Sequence, residues 1–594
     1  VKRGKRMGAH ALAVLTAAGL VAGCAGGNVG QNQATAPTKS TPKQAADTFS
    51  LYWNDGSSGF DPALWTFQMF LDSAGIFEGL VHGGPDGKYE LGVADKIEHN
   101  SDYTVWTFHL RKNAKFSNGD PVTAEDFVYS IQRAVSLQTA QETKHGPVPI
   151  TDVPIQNIVQ CRTGQKPMSA LGVKALDDHT LQMKLSQKDN HLLRDMTLNT
   201  SAWIVPVDKK VIENMKPDDW SNPSKVVGNG PYKLASFQNK TSATLVPNPY
   251  YWGRVNLKKI TVQFSSNINQ LLAFKNGTLD CALLSSQDVA AVNADPTLKS
   301  QLHYWNTQAQ YTLEVMPSKN KALQNEDVRK AFEMAIDKEA ICKSVLNGTA
   351  IPAYDPFLMQ WQEPWVKDTG ISYNPEKAKQ LMAKAGYPGG KGFPTVVLLV
   401  GSTTDHVAEA IQQMWQQTLG VKVVFKGEEW GQYLTDMKKQ LPANEVGWVN
   451  NSQQGSYPEL KLPQDLGDWL YSNGGLHSQF LPPDVYQRWY QIDSDTSLNP
   501  TKKESEEVAI YEKYLPKQYI DYVKTGVKAY QTQDENLLKQ FYVTREQRAY
   551  DIPVYTPKNP VLLRSTFTGY TPNNFILTNP PYWFNDIHAA GGSN

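Results

Sequence analysis

Cysteine is scarce in this 594-residue chain, with only Cys24, Cys161, Cys281 and Cys342. The last three lie far apart and none has the C-x-x-C spacing of a zinc site or redox pair, although one disulfide beside a free thiol stays open. An excess of charge of one sign is also missing: 58 basic side chains balance 58 acidic ones. Such a balance gives no pull toward nucleic acid or an acidic membrane, so no nucleic-acid partner is expected. Long hydrophobic runs are missing too. The most apolar stretch, Ala11 to Ala22, is too short to span a bilayer comfortably.

The motifs of catalysis are also wanting. There is no G-x-S-x-G, no H-E-x-x-H and no complete phosphate-binding loop. Gly389-Gly390-Lys391-Gly392 lacks the hydroxyl residue after the lysine that would hold magnesium, and it follows a helix rather than a strand, so it reads as a turn. Eleven histidines are scattered singly, which suits surface or core roles better than a metal site. The expectation is a protein that is not an enzyme and carries neither cofactor nor metal. The alternative of an extracellular hydrolase would rest on Glu428, Glu429 and Glu445, whose spacing across a cleft the sequence does not establish.

What is present begins at the N-terminus. Lys2, Arg3, Lys5 and Arg6 form a basic head, followed by the apolar stretch and by Val21-Ala22-Gly23-Cys24. This order has the form of a bacterial lipoprotein signal peptide over residues 1–23, with Cys24 as the lipid attachment site. Two or three acyl chains hold a protein stably at a membrane. Residues 24–46 are, after Cys24, mostly Gly, Asn, Gln, Ala, Thr, Pro and Ser with almost no large apolar side chain, so they read as a flexible tether.

Beyond the tether, 40% apolar content and a length too great for one core predict a globular protein of two or more lobes. Val105 to Leu110 alternates with Trp106, Phe108 and Leu110 on one face, which predicts a half-buried strand. Thr123 is placed to cap a helix whose stripe is Phe127, Ile131, Ala134 and Val135, its hydroxyl accepting an N–H of the first turn. Ile260, Val262 and Phe264 predict a strand, and Val328, Ala331, Phe332, Ala335 and Ile336 a helix. A further helix starts at Asn374-Pro375 and stops at Gly386. The order then runs strand (Thr395 to Val400), helix (Val407 to Trp415) and strand (Val421 to Phe425), a β-α-β crossover. The class is therefore α/β.

Aromatic side chains are abundant, with 15 Trp and 27 Tyr. Most fill cores, but rigid amphipathic rings also suit clefts that grip apolar stems and accept hydrogen bonds.

The run from Trp106 to Ser130, containing Asn118-Gly119-Asp120-Pro121, resembles the signature of family 5 solute-binding proteins. Five more blocks resemble that family: Phe77-Glu78-Gly79-Leu80, Gly228-Asn229-Gly230-Pro231-Tyr232, Asn248-Pro249-Tyr250-Tyr251-Trp252, Val328-Arg329-Lys330-Ala331-Phe332 and Tyr373-Asn374-Pro375-Glu376. The resemblance covers the chain from about Asp47 onward. It implies a two-lobed periplasmic-binding-protein type II fold with an inserted subdomain, divided as 47–92, 223–310 and 549–594 for lobe I, 93–222 for the insert and 311–548 for lobe II. Hinge closure around an elongated ligand, an oligopeptide before an oligosaccharide, would then be read by an ABC permease complex in the membrane. The protein is expected to act as a monomer on the extracytoplasmic face, and a peptide-signal receptor is a further alternative.

For the site, the resemblance implies ligand contacts from Trp430, Trp448, Asn450, Asn451, Glu445, Glu78 and Tyr555. Peptide-binding relatives carry aspartate where this chain has Asn451, so an amide stands in place of the partner for a peptide ammonium. Glu445 reverses the sign of an arginine in some relatives, and Met437 also replaces an arginine.

Overall fold

The computed structural model describes Asp47 to Ala590, apart from residues 54–59, 64–74, 84–88, 137–152, 191, 197–203, 265–267, 307–308, 317, 356–357, 359–363, 438, 455–480, 495–505, 507–508, 516, 533 and 570–583. The predicted signal peptide, the tether and Cys24 lie outside the described residues. The fold is α/β and two-lobed.

Lobe I opens with β1 (Thr48–Trp53), a short hairpin of β2 (Val81–Gly83) and β3 (Tyr89–Leu91), and the strands β4 (Ala94–His99) and β5 (Val105–Leu110). Trp106, Phe108 and Leu110 of β5 are buried as their alternation predicts, and they pack under α1 (Ala124–Val135) through Phe127, Ile131 and Val135. The start of α1 differs from expectation in one respect. The Thr123 hydroxyl donates to Asp126 Oδ2 at 2.7 Å, and its backbone N–H donates to the same oxygen at 2.8 Å. The carboxylate of Asp126 therefore does the capping, since it accepts both donors and sits at the positive end of the helix. Strands β6 (Val173–Asp177) and β7 (Thr180–Lys184) complete an antiparallel sheet in the order β4-β5-β7-β6.

The second sheet of lobe I follows, from β8 (Tyr232–Gln238), β9 (Ser242–Pro247) and β10 (Lys259–Phe264), in the order β1-β10-β9-β8. Only β1 and β10 run parallel. Phe49, Leu51, Tyr232, Leu245, Ile260 and Val262 fill its core. Two further strands, β11 (Cys281–Leu283) and β12 (Leu302–Asn306), lead toward the other lobe.

Lobe II starts at β13 (Ala309–Val315) and α2 (Glu326–Met334), continues through β14 (Ala350–Pro352) and α3 (Pro375–Lys384), and then forms the predicted crossover: β15 (Thr395–Val400), α4 (His406–Leu419) and β16 (Val423–Gly427). Asn374 caps α3 by accepting from Lys377 N–H at 2.9 Å. Strands β15 and β16 pair in parallel, as a helical crossover of this length requires. After α5 (Trp430–Asp436) comes β17 (Glu445–Gln454), and then the helices α6 (Pro483–Ser494), α7 (Lys517–Thr532) and α8 (Glu535–Gln547). These helices bury their own core, with Trp489, Tyr522, Phe541 and Tyr542 at its centre.

One element joins the lobes. Strand β18 (Asp551–Leu563) pairs with β13 and β14 over its first half and with β12 and β11 over its second. Ile552 and Val554 belong to the core of lobe II, whereas Val561 and Leu563 belong to that of lobe I. A ladder strand anchored in both cores thus joins them through main-chain hydrogen bonds. A two-residue pair of strands, β19 (Phe567–Thr568) and β20 (His588–Ala589), closes the chain against lobe I. Cys161, Cys281 and Cys342 are all buried.

Candidate functional site

Four of the residues expected to touch a ligand lie on one strand, β17. Its first half, Glu445–Val449, pairs in parallel with β15, and its second half, Trp448–Gln454, pairs antiparallel with β13. Beyond Val449 the partner on the β15 side has ended. Among the described residues, no strand pairs the other edge of Asn450–Gln454. Backbone N–H and C=O groups on such an edge need partners, which an added extended chain can supply.

The residues on β17 fare differently. Trp448 was expected to face a ligand, but its ring is fully buried and packs between Phe332 and Trp415, with ring centres 6.0 and 6.2 Å away. The cause is the strand alternation. Val446 and Trp448 share the face that packs against α2, α3 and α4, while Val449 joins Tyr433, Val397 and Leu399 on the other. Because β15 is apolar on both faces, both faces of its neighbour are covered as well. The indole Nε1 of Trp448 has no hydrogen-bond partner among the described residues.

Asn450 stands two residues further on the same face as Trp448. It is half-buried, its Oδ1 lacks a partner among the described residues, and its carbonyl accepts from the Tyr433 hydroxyl. Glu445 opens the strand, where its carbonyl accepts from Ser318 Oγ at 2.6 Å. Five or six residues at about 3.3 Å each put it some 16–20 Å from Asn450 and Asn451. The structure therefore does not bring Glu445 to the open edge. Asn451 pairs in the ladder with Thr312; its side chain, like that of Trp430 at the start of α5, is outside the described set.

Tyr555 lies on β18, opposite Tyr311 in register, and the two rings stack with centroids 5.0 Å apart. Tyr311 donates to Asp405 Oδ2 at 2.9 Å, while Oδ1 of the same carboxylate caps α4 through Val407 and Ala408 N–H. Burial, together with the Asp405 charge, pushes both phenols above their usual range, so they stay protonated. Tyr311, Tyr433 and Asp405 were missed by sequence reasoning. The alternation Tyr311, Leu313, Val315 was a signal for the first.

Glu78 sits in lobe I in a different setting. Its carboxylate accepts from Tyr251 Oη at 2.9 Å and from Trp252 Nε1 at 2.6 Å, and Asn229 bonds both its backbone N–H and its carbonyl. Burial pushes the Glu78 carboxyl up to about 7, against the pull of these donors and of Arg111. The Arg111 guanidinium lies 3.9 Å over the Trp252 ring. Three of the family-like blocks thus meet at one buried residue, Tyr251 and Trp252 at its carboxylate and Asn229 at its backbone. Among the alternative catalytic carboxylates, Glu428 is ion-paired with Lys426 at 2.6 Å.

A two-lobed α/β body joined through a shared strand, with an unpaired ladder edge in lobe II, defines a solute-binding protein of the type II class. Residues 88–459 match the family model described as bacterial extracellular solute-binding proteins, family 5 middle, and the chain belongs to that family. It is 32% identical over 451 residues to the periplasmic oligopeptide-binding protein OppA of Salmonella typhimurium, covering 71% of this chain and 78% of that protein. It is 28% identical over 585 residues to the Escherichia coli K12 protein of the same name, covering 95% and 98%. Among solved structures, the unliganded open form of the periplasmic murein tripeptide-binding protein MppA superposes with a TM-score of 0.66 at 23% identity, covering 91% of this chain and 97% of that one. Listeria monocytogenes OppA bound to peptide gives 0.63 at 22% identity, covering 92% and 99%.

Proposed function

We propose that this protein captures oligopeptides between its lobes and presents them to an ABC permease complex. The observation that carries this reading is the open edge of β17 at Asn450–Gln454. An extended peptide laid along it gains main-chain hydrogen bonds whatever its side chains, which is affinity without sequence choice. The names of the similar oligopeptide-binding proteins support the same ligand class. Asn450, Asn451, Trp430 and Tyr555 are the residues proposed to line this edge. Glu78 is proposed as the tie that holds the lobe I wall.

The proposal extends to the membrane. Val21-Ala22-Gly23-Cys24 supports lipid attachment at Cys24 on the extracytoplasmic face, with residues 24–46 as the tether. One observation favours a second reading. With Asn451 in place of an aspartate, position 451 offers a ligand ammonium no charged partner, which suits a neutral ligand such as an oligosaccharide.

The test is to incubate the folded domain with mixed peptides and mixed oligosaccharides, wash it, and identify what remains by mass spectrometry. Retained intact peptides are expected. Retention of sugars alone moves the assignment to the second reading, and cleaved products reject binding without catalysis.

A further inference from the structure

Lobe II holds a cluster of buried charge that the proposed binding site does not use, where α8 and the head of β18 pack against α2. Glu333, Lys338, Asp355, Arg545, Glu546 and Asp551 are each no more than 4% exposed. Lys338 Nζ donates to Glu333 Oε1 at 2.8 Å and to the Ala353 carbonyl at 3.0 Å. Arg545 pairs with Asp551. Asp355 Oδ1 accepts from Leu358 N–H at 2.7 Å.

The charges do not balance. Four carboxyl groups face two cations, and Glu314, a fifth acid, stands opposite Asp551 in the β13–β18 register. A third cation, Arg329, donates to the carbonyls of Leu323, Gln324, Arg548 and Ala549 and lies over the Tyr550 ring. Among the described residues nearby, Tyr354, Tyr522 and Tyr542 are phenols, Glu339 and Cys342 act on Tyr354 without adding positive charge, and Arg329 pulls on Asp551. Oε2 of Glu333, Oε2 of Glu546 and Oδ1 of Asp551 have no hydrogen-bond partner among the described residues. A buried carboxylate with a bare oxygen is costly, and several side by side cannot all ionise.

We propose that this cluster is a proton-operated latch: Glu546, enclosed among three other carboxyl groups with one oxygen bare of partners among the described residues, is held as a neutral acid in the folded protein, and its ionisation as pH rises loosens α8 and its helical layer from the sheet whose strand β18 runs into lobe I. Burial, then repulsion from Asp355 and Glu333, holds the Glu546 carboxyl well above the usual carboxylate range. Burial also pushes Glu333 up to about 7, with Lys338 pulling the other way. A carboxyl raised on folding stabilises the protein fully below its unfolded pKa and ceases to do so as pH rises through the folded value. The latch is therefore shut while Glu546 holds its proton and released as pH climbs through its raised folded value. Because β18 is the ladder strand common to both lobes, what loosens its head reaches the hinge.

The experiment follows the full chain by urea unfolding from about pH 7 to about pH 9. Beyond what Glu78 and Glu333 contribute, each being raised to about 7, Glu546 is expected to add a fall in the parent's folding equilibrium constant of up to tenfold per pH unit, the limit for one proton. Glu546→Gln, which mimics the neutral acid, is expected to keep the parent's stability at neutral pH and to flatten the alkaline slope. An unchanged slope overturns the proposal, and so does a slope that Glu333→Gln flattens while Glu546→Gln does not. In the unaltered protein, infrared spectroscopy should detect the carbonyl stretch of a buried neutral carboxylic acid at neutral pH, lost in alkali together with amide protection in α8. Absence of that band at neutral pH also overturns it, whether or not the variants fold.

Discussion

Trp252 donates its indole N–H to Glu78 Oε2 at 2.6 Å, and this bond fastens the Asn248–Trp252 turn to the buried end of the Phe77–Leu80 segment. The carboxylate is fully enclosed, and burial raises it to about 7 from an ordinary value of 4.5. A raised acid contributes stability that is complete below about 4.5 and disappears as pH climbs through about 7. At about 1.4 kcal/mol per pH unit the swing is about 3 kcal/mol. Glu78→Gln removes the titration but leaves one aromatic donor facing an amide N–H₂. The variant is expected to be less stable at every pH and to show a smaller loss between about pH 5 and pH 8 than the parent. Parallel thermal melts check this; identical pH slopes reject the assignment to Glu78.

Trp448 and Trp106 are both core residues, one in each lobe. Truncating either to alanine should cost about 3–5 kcal/mol, read as a lower urea midpoint. Trp448→Phe should cost far less, because it keeps most of the ring and removes the buried N–H that has no partner among the described residues. A Trp448→Phe variant as unstable as Trp448→Ala would mean that the indole N–H is satisfied in solution.

The case of Trp448 separates what patterning reveals from what it hides. Strand and helix type were legible wherever one face is buried: Trp106, Phe108 and Leu110 alternate, and Asn374-Pro375 with Gly386 punctuate a helix at both ends. The parallel pairing of β15 and β16 followed from the length of the crossover. The role of Trp448 was misread because a tryptophan after a glycine looks the same in a cleft wall and in a core. The deciding fact was elsewhere in the chain, in the two-faced burial of Thr395–Val400, which forces its neighbour inside. Glu78 was expected as a ligand contact, whereas its carboxylate bonds Tyr251 and Trp252, partners more than 170 positions away and beyond the reach of local spacing. The buried charge around Glu546 was hidden because, although Glu333–Lys338 and Arg545–Asp551 are close in sequence, the cluster joins α2 and the segment after it, the loop after β14, α8 and β18.

Arg329, within the Val328–Phe332 block, is 1% exposed, and its guanidinium reaches carbonyls on both sides: Leu323 and Gln324 at 2.9 and 3.0 Å, Arg548 and Ala549 at 2.9 and 3.0 Å. It thereby ties α2 to the chain leaving α8. A lysine carries one compact ammonium and cannot reach both sets, so Arg329→Lys is expected to lose about 3 kcal/mol or more, close to the cost of Arg329→Met. Chemical denaturation of the two variants side by side checks this. A lysine variant as stable as the parent shows that the charge matters and the fork does not.

The glycines of Gly389-Gly390-Lys391-Gly392 should behave as parts of a turn. Gly420, at φ +71°, ends α4, and a Cβ on it would lie 2.3 Å from the Gly389 carbonyl oxygen; one on Gly390, at φ +75°, would lie 2.3 Å from that of Gly420. Backbone against backbone has no easy relief. Gly420→Ala and Gly390→Ala should each cost about 2–4 kcal/mol, combining strain at positive φ with overpacking. Gly392, at φ +77° with nothing within 4 Å of its Cβ position, should lose only about 1–2 kcal/mol. Equal losses at all three sites would remove the close approach as the reason.

The open edge of β17 makes a last prediction about selectivity. A peptide lying along Asn450–Gln454 brings its ammonium near one end of that edge, and at position 451 this chain offers an amide in place of a carboxylate. Glu445 does not compensate, because it stands at the far end of the same strand. A hydrogen bond between charged groups exceeds a neutral one by about 1 kcal/mol, or roughly five-fold in affinity. Asn451→Asp should therefore tighten binding of peptides with a free α-amine by about that factor and leave their N-acetylated counterparts unchanged, as titration calorimetry can measure. Equal tightening for both forms would mean that the new charge acts at long range, and no change in either would place the ligand ammonium elsewhere along the groove.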